Sequence, residues 1–81
     1  MEVRVLLFGP EAAVAGRSDV CVHIDGACTC AAVRREIERS VPALKGRLTG
    51  ARMAVNSEFA SPEQTINSGD EVALIGMVSG G

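Results

Sequence analysis

The chain has no tryptophan and no tyrosine, and its only aromatic residues are Phe8 and Phe59. A core made from it must rest on Val, Ile, Leu and Ala. Long apolar runs are also missing: no stretch approaches the roughly 20 residues that a bilayer-spanning helix needs. Neither sign of charge dominates. Eight Lys and Arg face ten Asp and Glu, for a net charge of −2. The basic residues are scattered, which leaves no electrostatic footprint for nucleic-acid binding. The start, Met1-Glu2-Val3-Arg4-Val5, lacks a basic-then-apolar leader, so no signal peptide is expected. Cysteine is sparse and odd in number, at three residues. Without a secretory context, that count fits free thiols in a reducing cytosol, and a cytoplasmic location is expected.

What is present fits one small folded domain. The chain has 81 residues, of which 47% are hydrophobic and 22% charged, a balance typical of globular rather than disordered chains. Residues 2–8 alternate at period two, with Val3, Val5 and Leu7 on one face and Arg4, Leu6 and Phe8 on the other. Gly9-Pro10 breaks this strand. Pro10 suits a first helical position, and the short helix it opens stops at Gly16. Asp19 to Asp25 reads as a second strand, antiparallel to the first. Thr29 is the expected N-cap of the main helix, Cys30 to Ser40. Val33 and Ile37 share its apolar face, which Val41 and Leu44 continue. On the polar face Arg34 and Glu38 are spaced for an i,i+4 pair, and Pro42 ends the regular helix. Lys45 to Gly50 reads as a loop. Arg52 to Asn56 is a third strand, Asn56-Ser57 a turn and Glu58 to Ala60 a short return strand. Asn67 to Asp70 is a second turn, and Glu71 to Ile75 is the last strand.

The order is strand, strand, helix, strand, short strand, strand. With the first and last strands as neighbours, a pairing taken in part by analogy to a known fold, it predicts an α+β fold of the β-grasp, or ubiquitin-like, kind. A mixed sheet of about five strands packs on one main helix, with a short helix after the first strand. The domain is expected over residues 1–77, followed by a tail over 78–81, Val78-Ser79-Gly80-Gly81. Glycine lacks a Cβ, so such a tail can thread a narrow channel and adopt backbone angles closed to other residues. Its terminal carbonyl is also open to attack. Four extended residues reach about 13 Å at roughly 3.3 Å each. The expectation is that Gly81 ends the chain and presents its α-carboxylate on this stalk.

At this point the sequence resembles a family, the small sulfur-carrying subunits of molybdopterin synthase. The resemblance runs essentially end to end. It rests on Val5-Leu6-Leu7-Phe8-Gly9 with the short helix ending at Ala15-Gly16, on Ala54-Val55-Asn56, and above all on Gly69-Asp70-Glu71-Val72-Ala73 leading to Val78-Ser79-Gly80-Gly81. Two positions depart from the family pattern. Gly76-Met77 stand where a Pro-Pro pair is usual, which implies a less stiff base to the stalk. Ala12-Ala13 stand where Arg-Glu is frequent, which removes a salt bridge to a partner.

The resemblance implies that an E1-like adenylating enzyme uses ATP to activate Gly81, and that a sulfur donor enzyme converts the acyl-adenylate to a thiocarboxylate. The sulfur then passes to a pterin precursor held by the large synthase subunit, in a heterotetramer of two small and two large subunits. On this view the chain is no enzyme by itself and binds no cofactor. It supplies a reactive atom and its position, and the catalytic acids and bases belong to the large subunit. Gly81 and Gly80 carry the chemistry; Phe8, Phe59, Ile75, Met77, Val78 and Ser79 contact partners.

The contact surface also has a basis in the strand pattern. The face away from the main helix carries Leu6, Phe8, Phe59 and Ile75, and an exposed apolar patch with a polar rim marks a protein interface. The alternative is that one or both phenylalanines tuck into the core under a loop. Cys21, His23, Cys28 and Cys30 fall within ten residues, but their spacing does not match a zinc knuckle, and no metal is expected. His23 reads as a solvated strand residue. Three other functions share the tail or the fold: a thiamine-pathway sulfur carrier, a ubiquitin-like protein modifier, and a β-grasp interaction module whose tail is idle.

Overall fold

A computed structural model describes residues 1–48 and 50–76 of the chain. Its elements are β1 (Glu2–Phe8), α1 (Pro10–Ala15), β2 (Asp19–His23), α2 (Cys30–Ser40), a 3-10 turn (Pro42–Leu44), β3 (Ala51–Val55), β4 (Glu58–Phe59) and β5 (Val72–Gly76). The strands form one five-stranded sheet in the order β2-β1-β5-β3-β4. β1 and β5 run parallel, and every other neighbouring pair is antiparallel. With one long helix across the sheet, this is the β-grasp architecture that the element order predicts.

Period-two alternation sets the two faces. Val3, Val5 and Leu7 of β1, Val20 and Val22 of β2, Met53 and Val55 of β3, and Val72 and Leu74 of β5 are all buried. They meet Cys30, Val33 and Ile37 of α2 in one cluster. Each fully buried aliphatic side chain stabilises by roughly 1.5–3 kcal/mol, so the core needs no aromatic ring. Thr29 caps α2 as expected, its hydroxyl accepting a hydrogen bond from Ala32 N at 3.2 Å. Pro42 starts the 3-10 turn, which carries Leu44 into full burial.

Several expectations move by a residue or two. β2 stops at His23 rather than Asp25. The Met1 ammonium donates to Ile24 O at 2.9 Å and Ile24 N donates to Met1 O at 2.9 Å, so hydrogen bonding between the two segments continues one residue past the strand. β3 starts at Ala51, β4 ends at Phe59, and β5 starts at Val72 and includes Gly76. The Arg34–Glu38 pair is not formed. Glu38 accepts instead from Gly46 N at 3.1 Å, and the ion pair on α2 is Arg39–Glu36 at 2.8 Å. That arginine holds the Glu36 carboxyl below its usual range. The stretch after the helix is also more than a surface loop, because Leu48 is buried in the core.

The β3–β4 turn places Asn56 and Ser57 at φ of 52° and 69°. Positive φ at both central residues is the type I′ arrangement that suits a two-residue hairpin. Asn56 is tied back across the sheet end. Its side chain accepts from Glu71 N at 3.0 Å and donates to Asp70 at 3.1 Å. These bonds fix the entry into β5.

Candidate functional site

The residues that crowd the outer face come from four strands. In the β1–β5 register Phe8 lies opposite Ile75 and Leu6 opposite Ala73. In the β3–β5 register Arg52 lies opposite Ile75 and Ala54 opposite Ala73, and Ala54 lies opposite Phe59 on β4. Phe8, Ile75, Ala73, Ala54 and Phe59 therefore line a shallow cleft of about 260 Å³, with Ser57 and Glu71 at its rim. Phe8 is 50% exposed and Phe59 is 53% exposed. Both aromatics stand on the surface, and neither tucks under a loop. Arg52 lies over the Phe59 ring at 4.3 Å from its centroid, a cation–π contact of about 0.5–1 kcal/mol at an exposed position.

Ile75 belongs to both the cleft and the end of β5. The site therefore joins an apolar patch to the last described residues of β5, which end at Gly76. The other sequence-derived site residues, Met77, Val78, Ser79, Gly80 and Gly81, lie outside the described residues, and so does the boundary between a domain over 1–77 and a tail over 78–81.

The end of β5 is covered by the start of α1. Gly9 has a φ of 77°, and a Cβ there would come within 2.9 Å of Gly76 O. Only glycine lets the turn into α1 pass this close while holding a left-handed conformation. One residue into α1, Glu11 is 8% exposed, the only buried charged residue among those described. Its carboxylate covers Gly76. A Cβ on Gly76 would overlap Oε2, with Glu11 Cδ at 2.5 Å and Pro10 Cδ at 3.0 Å. Oε2 has no hydrogen-bond partner among the described residues. Sequence reasoning missed this contact. An acidic residue in the first turn of a helix is ordinary, so nothing marked Glu11 as buried. The one available signal was the glycine in a strand where the family pattern has proline.

The remaining candidates are apart from the site and from each other. Cys21 is exposed on β2, whereas Cys28 and Cys30 are buried in the core. Burial pushes both buried thiols above the ordinary cysteine range, and Cys28 adds to the shift at Cys30. His23 sits on the surface between Asp25 at 2.8 Å and Glu2 at 2.7 Å. The bonds to Asp25 and then Glu2 raise its pKa above 6.5. Among the described residues no group of His, Cys, Asp and Glu side chains could hold a metal ion. No described helix is long and apolar enough to cross a membrane.

Known proteins share this arrangement. The profile of the ThiS family matches residues 5–81. A molybdopterin synthase sulfur carrier subunit from Dictyostelium discoideum is 31% identical, with 99% of this chain and 96% of that protein covered. Its counterpart from Chlamydomonas reinhardtii is 29% identical, with both chains covered in full, at 100%. In three dimensions the chain is similar to small archaeal modifier protein 1 (SAMP1) of Haloferax volcanii, at a TM-score of 0.88 and 30% identity, with 100% of each chain covered. The fold and the sequence match over residues 5–81 agree: the chain belongs to the ThiS family, with molybdopterin synthase sulfur carrier subunits among its relatives.

Proposed function

We propose that this chain is the sulfur carrier of a molybdopterin synthase, with Gly81 as its C-terminal residue and the reactive group on the Gly81 carboxyl. The observation that carries the reading is the placement of β5. It is held by β3 along all five of its residues and by β1 from Val72 to Ile75, and it ends beside the exposed Phe8–Ile75–Phe59 cleft. A partner seated on that cleft would receive the following residues at a fixed point.

The chemistry follows from the carboxylate. Oxide is too poor a leaving group for direct substitution. The Gly81 carboxylate attacks the α-phosphate of ATP on an E1-like enzyme, and pyrophosphate leaves. Hydrosulfide released by a donor enzyme then attacks the acyl carbon, AMP departs, and a thiocarboxylate remains. Its sulfur displaces an oxygen leaving group from the pterin precursor on the large subunit, water cleaves the resulting thioester so that the sulfur stays on the pterin and Gly81 returns as a carboxylate, and two charged carriers are consumed for each dithiolene. The carrier contributes position through the β-sheet, and the acid–base groups lie on its partners. The large subunit docks on the same face as the adenylating enzyme, so the two bind in turn. A complex of two small and two large subunits allows each tail its own active site.

Intact mass tests the reading. The chain is incubated with an E1-like enzyme, ATP and sulfide. It should gain the mass difference between sulfur and oxygen, placed on Gly81 by fragmentation. An unchanged mass with an adenylating enzyme proven active on another carrier would sink the proposal.

The similarity to SAMP1, a modifier by name, favours one second reading, in which the Gly81 acyl-adenylate is transferred to lysines of other proteins. Higher-mass conjugates joined through Gly81, with no thiocarboxylate, would select it.

A further inference from the structure

Among the described residues, a groove larger than the cleft beside β5 lies elsewhere on the molecule. It has a volume of about 490 Å³ and runs between α2 and the open edge of β3. We infer that it is a docking groove for an extended, acidic peptide segment of a partner protein. This goes beyond sulfur carriage and does not depend on it.

Two independent features carry the inference. The first is an unfinished strand edge. β3 pairs with β5 through all five of its residues, Ala51 to Val55, but β4 covers only Ala54 and Val55. Beyond that, Ala60 N donates to Met53 O at 3.0 Å, and Ala51 N is taken up by Leu48 O at 3.0 Å. The alternation of an antiparallel ladder turns the Met53 N–H and the Ala51 C=O toward this open side. An incoming strand can bond to such an edge. Buried Ala51, Met53 and Cys30 make the floor apolar, which suits a β-branched side chain.

The second feature is charge. Arg34, Arg35 and Arg52 line the groove, and none of them makes an ion pair with a described residue. They gather at one place in a chain whose net charge is −2. The one carboxylate among them, on Glu38, already accepts from Gly46 N. Three guanidinium groups with no ion pair among the described residues, one of them stacked over Phe59, surround an apolar floor and match a segment with an aliphatic centre and Asp or Glu on its flanks. Phe59, with Arg52 over it, forms the wall shared with the outer cleft.

The experiment is a selection from a random twelve-residue peptide display library on the whole chain. Enriched peptides should be acidic around one or two β-branched residues. In ¹⁵N–¹H spectra they should shift the amides of Ala51, Arg52, Met53 and the Arg34–Arg35 turn. Binding should fall roughly tenfold or more when Arg34, Arg35 and Arg52 are all changed to Glu, since attraction becomes repulsion at three places at once. It should also weaken with added salt. Replacing the acidic residues of the selected peptide by Asn and Gln should give the same loss on the unaltered protein, which keeps the test valid should the charge-reversed chain fail to fold. Any of four results would overturn the inference: no enrichment, enriched peptides without acidic residues, shifts confined to the Phe8 side of the sheet, or equal binding after the arginines are reversed or the peptide acids neutralised. None of these bears on the mass change at Gly81, so this inference and the sulfur-carrier reading fail separately.

Discussion

Gly76 offers a test in which a single methyl group should reverse the sign of a stability change. Alanine in a strand is ordinarily more stable than glycine by about 0.5–1 kcal/mol, because the unfolded chain loses less freedom. In this protein the added Cβ overlaps the Glu11 carboxylate and meets Pro10 Cδ at 3.0 Å. Glu11 must then swing out of a nearly closed site, with α1 adjusting around it, and overpacking of this kind costs about 1–3 kcal/mol. The repulsive effect exceeds the entropic gain, so Gly76→Ala should destabilise by about 1 kcal/mol. For a domain of this size that lowers Tm by roughly 4–8 °C. Glu11→Ala removes both the obstacle and a buried oxygen with no partner among the described residues, so it should cost little alone. In that background Gly76→Ala should become neutral or stabilising. The chain has no tryptophan, so the four members of the cycle are best compared by far-UV circular dichroism in guanidinium chloride. A coupling energy below about 0.5 kcal/mol, the scatter expected for independent sites, would refute the proposed packing of α1 against the strand end.

Four other outcomes follow. Cys21 is exposed while Cys28 and Cys30 are buried with raised pKa values, so iodoacetamide should label one thiol per native chain and all three in denaturant. His23 should titrate above 6.5 by NMR, and Asp25→Asn should lower its pKa. Because its pKa is raised on folding, the stability it contributes is complete below 6.5 and is lost as pH rises through the folded-state value. Asp70 behaves oppositely. Its carboxyl is held below 3.8 by the Asn67 backbone N–H and then by the Asn56 side chain, so its contribution is present above that value, is lost as pH falls through the folded-state pKa, and should disappear in Asp70→Ala. Replacing both Phe8 and Phe59 by Ser should leave Tm within a few degrees, since both rings are exposed, yet should slow thiocarboxylate formation on the adenylating enzyme severalfold. Unchanged rates would remove the cleft from partner docking.

Much of this molecule could be read from its residues, and the exceptions share a cause. Alternation identified the four longer strands because Val, Ile and Leu recur in them at period two with little interruption, and the Asn56-Ser57 turn pointed to the short one. Thr29 marked the start of α2 because its hydroxyl has a local job that sequence spacing reveals. The two phenylalanines fell on the outer face by parity alone. The neighbours of β5, by contrast, came from analogy to a fold, since no local pattern says that β1 lies beside it in parallel. Leu48 looked like part of a loop because one apolar residue between glycines carries no period. Its burial is decided by what lies beneath it. Glu38 had a partner at helical spacing and bonded Gly46 instead, because a backbone N–H eight residues on came within reach. Glu11 was illegible for the same reason: its burial depends on Gly76, sixty-five positions away.

The central position of β5 also has a mechanical meaning. One side of this strand is bonded to a parallel neighbour and the other to an antiparallel one. A pull on residues beyond Gly76 along the strand axis loads both ladders in shear, so their hydrogen bonds share the force and must yield together. Peeling, in which bonds break one at a time, would require a pull across the sheet. A partner that draws the end of this chain into a narrow channel therefore tugs on a clamp. The direction of that tug is the one in which the sheet resists best.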